Sequence, residues 1–192
     1  NQPTAIAGND GSGGGGLLNE SKVSKENLRQ YYIPDVHKYA FIGIDILEFA
    51  RLYRDTDRGD VENNGALVSG LEKIFSGDSW REVLNKTQLI MPDAACIDPN
   101  TKKKKEAAAS FQNGVPTICM SPAKLAKKIT YVLAKSQLLA LYMHEFSHLM
   151  GANEDEANAI QQYLNLDLFL QNEGSSLNIS YRQSAISSVS YA

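Results

Sequence analysis

The chain has 192 residues, 43% of them hydrophobic and 21% charged, with 19 basic and 22 acidic side chains and a net charge of −3. That balance predicts one soluble globular domain with a single core and excludes a largely disordered chain. A pI near 5.6 argues against a nucleic-acid binder, and no apolar run approaches the ~20 residues that span a bilayer.

The sequence opens at Asn1 rather than Met, which suggests a processed or trimmed terminus, and no charged and apolar leader opens it. Residues 1–20 include Gly11-Ser12-Gly13-Gly14-Gly15-Gly16, a run with maximal backbone entropy that reads as a flexible linker, and no lipid-accepting Cys stands at position 1. Residues 21–192 then read as the single domain, with a Ser-rich segment from about 171. Ser24 is placed to cap a helix over 24–30 that Pro34 is expected to interrupt. From Asp35 to Arg54 apolar residues recur three or four apart through Val36, Tyr39, Ala40, Ile44, Leu47 and Ala50, a helical stripe. Gly43 weakens that stripe and leaves Phe41–Ile44 open to a short strand.

Asp57–Gly65 is rich in Asp, Asn and Gly and reads as a loop, Ala66–Phe75 as a helix, and Trp80–Asn85 as a short helix capped by Asp78 or Ser79. Thr87–Met91 is β-like and can pair with a second β-like run, Val115–Met120. Between them Lys102-Lys103-Lys104-Lys105 reads as a solvated, mobile turn of a net-acidic chain, with a patch for an acidic partner as the alternative. Ser121-Pro122 opens a helical pattern that runs to Met150, with a break possible near Lys135-Ser136, and Gly151 stops it; a further helix spans Glu154 to about Leu170.

The two cysteines, Cys96 and Cys119, both lie in β-like stretches, away from any CxxC or His. A disulfide between them is expected, stabilising by roughly 3 kcal/mol on loop-entropy grounds. It would suit a secreted or periplasmic protein.

Within the helix that ends at Gly151 the sequence reads His144-Glu145-Phe146-Ser147-His148. Residues four apart stack one turn above each other, so the two imidazoles can share one tetrahedral Zn²⁺ with Glu145 beside its open position. Leu139, Met143, Phe146 and Met150 form a separate apolar stripe that would hold this helix in the core. With three His and eleven Glu in the chain, such a spacing arises by chance about twice in a thousand shuffled sequences, so accident is a poor explanation. The third ligand is expected just beyond the glycine turn. Glu154 is the first carboxylate there and Glu156 the alternative, since the two fall on different faces of a helix starting at Asn153.

His144-Glu145-x-x-His148 followed by Glu154-Asp155-Glu156-Ala157-Asn158 resembles the zincin metallopeptidases, and its second motif resembles the gluzincin branch. The spacing His144-Glu145-x-x-His148-x-x-Gly151-x-x-Glu154 is also similar to the metzincin motif, but no Met follows Met150 to supply that branch's methionine turn. The resemblance implies an α+β, mainly helical zincin-like domain with a small sheet. It implies a zinc metallopeptidase acting on a peptide or protein substrate, with His144, His148 and Glu154 as ligands and Glu145 as general base. Asn158 stands where gluzincins carry an acid that supports a ligand histidine, and as an amide its support would be weaker. Tyr142, Tyr163, Tyr181 and His37 are the candidates for stabilising the oxyanion, and Val115–Met120 for the substrate-binding edge strand. The rival expectation is a non-catalytic zinc-binding regulatory or interaction domain. The carboxylate of Glu145 argues against it, because a site that only stores zinc has no use for one.

Overall fold

The computed structural model describes residues 22–52, 65–131 and 133–173. The Gly-rich segment, residues 57–64 of the expected loop and the Ser-rich segment beyond 173 lie outside them. The architecture is α+β, with helices predominating over a small sheet. In chain order the elements are α1 (Lys25–Asn27), a π-helical turn (Leu28–Tyr32), α2 (Ile33–Leu52), α3 (Gly65–Ile74), α4 (Ser79–Lys86), β1 (Gln88–Ile90), β2 (Cys96–Ile97), β3 (Lys104–Lys105), β4 (Ala107–Gln112), β5 (Val115–Met120), α5 (Pro122–Leu125), α6 (Ala134–Leu149) and α7 (Glu154–Glu173). None of these helices is long and apolar enough to cross a membrane.

Ser24 caps α1 as expected, its side chain accepting from the Asn27 amide at 3.1 Å. Pro34, however, does not interrupt the chain: helical structure runs from Lys25 to Leu52. The π-helical turn just before it, closed by the Ile33 N–H on the Leu28 carbonyl, widens the backbone where a proline ring would otherwise meet the carbonyl four residues back. Phe41–Ile44 is helical too. Gly43 sits where α2 crosses α6 so closely that a Cβ would stand 2.8 Å from Cγ of Met143. The glycine is a packing device, at odds with the strand alternative.

The helical pattern from Pro122 to Met150 does break into two helices, but over 126–133, ahead of the break expected near Lys135-Ser136. Ser121 caps α5 with Pro122 at its first turn, the chain leaves helical geometry after Leu125, and α6 restarts at Ala134. α6 is the central element. Leu139, Tyr142, Met143 and Phe146 are all buried, with α2 and α7 against one side and β4 against another; α3 packs on α7. Asp78 stands at the start of α4 but makes no side-chain capping bond.

The three-stranded sheet has the order β1-β5-β4. The expected pairing of β1 with β5 is present and parallel, with Leu89 opposite Ile118. The third strand, β4, was not expected: it runs antiparallel to β5, with Ala109 opposite Ile118, and joins it through Asn113-Gly114, both at positive φ (51° and 80°). Val115–Met120 is therefore the central strand. The edge next to α6 belongs to Ala107–Gln112.

The lysine run is also ordered. Lys104 and Lys105 pair with β2, and the turn between is held by the Asp98 carboxylate, which accepts from the amides of Asn100 (2.8 Å) and Thr101 (3.0 Å). The expected disulfide joins Cys96 of this hairpin to Cys119 of β5, packed with Ala108 in a small core of its own. Such a bond is compatible with an exported protein.

Two outcomes follow. Replacing both cysteines with Ala should lower the unfolding free energy by about 3 kcal/mol in a denaturant titration, because a loop of 23 residues is no longer closed. Gly43→Val should destabilise by about 2 kcal/mol or more even though valine is the better helix former, since overpacking against Met143 exceeds the propensity gain.

Candidate metal centre

The last turn of α6 and the first turn of α7 build the site, and the four residues between them set its shape. Gly151 has φ +88°, and a Schellman reversal forms around it: its N–H bonds the His148 carbonyl at 3.0 Å, and the Ala152 N–H bonds the Ser147 carbonyl at 2.9 Å. The Ala152 carbonyl then turns back to Nδ1 of His148 at 2.9 Å. A carbonyl can only accept, so Nδ1 carries the proton and the Nε2 lone pair is free.

α7 starts with a reciprocal capping box. Asn153 Oδ1 accepts from the Glu156 amide at 3.0 Å, and Glu156 Oε2 accepts from the Asn153 amide at 2.7 Å. The same Glu156 carboxylate accepts from Ser69 and Lys73 of α3, both at 2.6 Å. Burial alone would raise the Glu156 pKa, but Lys73, Ser69 and the Asn153 amide bring it down to about 2. Glu156 is thus committed to α3, and Glu154, on another face of the helix, is the carboxylate that reaches the imidazoles.

Nε2 of His144 and Nε2 of His148 are 3.2 Å apart; Glu154 places Oε1 3.7 Å from the first and Oε2 3.4 Å from the second. A metal with bonds of about 2.0–2.1 Å and tetrahedral angles needs its donor atoms about 3.3 Å apart. Among the described residues, His144, His148 and Glu154 form the one His/Cys/Asp/Glu group gathered tightly enough to hold a metal ion. The spacing of the donors therefore fits a cation with bonds of that length, and the site is open to solvent at Glu154, which is 56% exposed. Burial lowers the His144 pKa to about 4, keeping the ring neutral as a ligand must be. Its Nδ1 is buried without a well-formed hydrogen bond, although the Ala157 backbone lies near enough to favour the ring's charged form.

Glu145 lies beside this trio and outside it. Its side chain is buried, and desolvation pushes its pKa up to about 7 against the opposing pull of Lys105 and of the Ala109 backbone on β4. Lys105 is the residue that the sequence did not single out. Its ammonium is 3.1 Å from Asp98 Oδ2 and 3.7 Å from Glu154 Oε2, so the hairpin closes one side of the site.

The remaining expectations separate. Asn158 is exposed, and the hydrogen bonds of the two imidazoles do not include it; the Ala152 carbonyl takes the supporting place for His148. Tyr142 and His37 bond each other at 2.7 Å, and Tyr142 is fully buried; two residues before His144 on α6, Tyr142 is turned about 200° from it around the helix. Tyr163 packs against the main core, half a turn out of phase with Glu154, and Tyr181 lies outside the described residues. A groove of about 670 Å³ lined by Tyr31, Tyr39, Ile42, Leu139 and Leu168 lies elsewhere and includes none of the trio.

No protein-family model, curated protein or solved structure matches the chain.

Zinc titration should separate the two acids: Glu154→Gln should lose affinity by about a hundredfold or more, while Glu156→Gln stays within a few-fold of the parent. Glu156→Gln should instead lower the stability of the metal-free protein by about 1–3 kcal/mol near neutral pH. Because the folded-state pKa lies below the ordinary 4.5, that deficit should fade as pH falls from 4.5 towards about 2, which acid-unfolding curves of the two proteins will show.

Proposed function

We propose that the chain is a zinc-dependent peptidase of the gluzincin kind, with His144, His148 and Glu154 as ligands and Glu145 as general base. The observation that carries this reading is the position of Glu145: a buried carboxylate beside the trio, with both ligand imidazoles on its own helix. A closed structural site would leave that carboxylate desolvated for no return.

When zinc is bound, it polarises a carbonyl oxygen and lowers the pKa of water towards 7. Glu145 takes the proton of the attacking water on a carboxylate oxygen and passes it to the nitrogen of the departing amine. The outer edge of β4 offers backbone N–H and C=O groups along which an extended peptide can lie as an added strand, next to the helix that carries Glu145. Ala109 of β4, whose backbone interacts with Glu145, ties the edge strand to the base.

One observation favours the second reading, a non-catalytic zinc-binding interaction domain on the same scaffold. Of the oxyanion candidates the sequence offers, Tyr142 and His37 are engaged with each other, and Tyr163 lies half a turn from Glu154 around α7. Glu145→Gln separates the readings. The variant should bind zinc and unfold like the parent while hydrolysis of any peptide the parent cuts falls by about 10²–10⁴-fold. If the zinc-loaded parent cuts no member of a diverse peptide library, the interaction reading takes its place.

A further inference from the structure

Residues 102–128 hold seven lysines and a single acid, Glu106, in a chain whose net charge is −3. The fold gathers them. Lys128 pairs with Glu106, next in sequence to β3; the Glu106 carbonyl accepts from Ser121 at the start of α5; and Lys22 reaches the carbonyl of Lys127. Lys102, Lys103, Lys104, Lys124 and Lys127 are exposed, and none has a carboxylate partner among the described residues. The band is held in place as well: the hairpin is pinned by the Asp98 turn and by the Cys96–Cys119 disulfide, and its last lysine, Lys105, stands 3.7 Å from Glu154.

We propose that this lysine band is a docking surface for acidic polypeptides, leading them to the candidate metal centre and the outer edge of β4. What happens to the polypeptide there rests on the peptidase reading; its capture rests only on the charge distribution. Unpaired cations gathered on neighbouring segments of an otherwise acidic molecule concentrate anionic partners and speed their encounter, an effect confined to about a Debye length and weakened by salt. Nucleic acids and anionic membranes share that electrostatic attraction. The edge of β4 decides among them, since its backbone groups can be matched by another polypeptide strand and by neither of the others.

The test is an anisotropy titration of the full chain with two fluorescein-labelled dodecapeptides, one with Glu at alternate positions and a twin with Gln in their place. The Glu peptide should bind at least about tenfold more tightly at about 50 mM salt and lose most of that advantage at about 500 mM. The triple variant Lys102→Gln, Lys103→Gln, Lys104→Gln should bind the two peptides almost alike while unfolding at the parent's temperature. Equal binding of the two peptides by the parent would overturn the proposal, as would a triple variant that behaves like the parent. Tighter binding of a twelve-nucleotide single strand or of phosphatidylserine vesicles than of the Glu peptide would overturn it in favour of those partners. Absence of cleavage by the parent bears on the peptidase reading alone, because the binding measurement does not depend on it.

Discussion

The candidate metal centre depends on one backbone reversal. Two imidazoles four apart on α6 are brought together by helix geometry alone, but a third ligand has to come from a second helix, and the Gly151 turn determines where that helix starts. At φ +88° a residue with a side chain would be strained, so the Schellman geometry and the position of α7 both depend on the glycine. The turn also sets chemistry. Its Ala152 carbonyl fixes the proton of His148 on Nδ1, and its Asn153 locks Glu156 into the capping box, leaving Glu154 as the acid that faces the metal position.

Burial divides the labour among three carboxylates within one short stretch of structure. Glu156 is buried and fully bonded, which makes it a structural anion tying α7 to α3. Glu154 is exposed and within reach of both imidazoles, as a ligand approached from solvent should be. Glu145 is buried, and desolvation raises its affinity for a proton, which suits the general-base role proposed for it. The hairpin clipped by the disulfide adds the cation Lys105 to this arrangement, so a covalent bond far along the chain helps set the electrostatics of the site.

Much of this was legible in the sequence because it rests on local rules. The i, i+4 histidines, the glycine stop and the carboxylate behind it each follow from helix geometry, and Cys96 and Cys119 announced their link by their settings. The less legible features rest on contacts between distant segments. Gly43 looks like a weak point until α6 crosses it at Met143. β4 is composed of Ala-Ala-Ala-Ser-Phe-Gln, with neither β-branched residues nor clean alternation, and its one local signal was the Asn113-Gly114 turn beside it. Lys105 is indistinguishable by type from the three lysines before it; only the paired hairpin and Asp98 turn it towards Glu154.

X-ray absorption at the zinc edge, on the zinc-loaded full chain, tests the central claim most directly. The account predicts a four-coordinate shell with two imidazole nitrogens and oxygen donors, all at about 2.0–2.2 Å, and no sulfur. In Glu154→Gln the shell should lose its carboxylate or the metal itself. A six-oxygen shell, a sulfur scatterer or a single imidazole in the parent would contradict the assignment of His144, His148 and Glu154 as a metal centre.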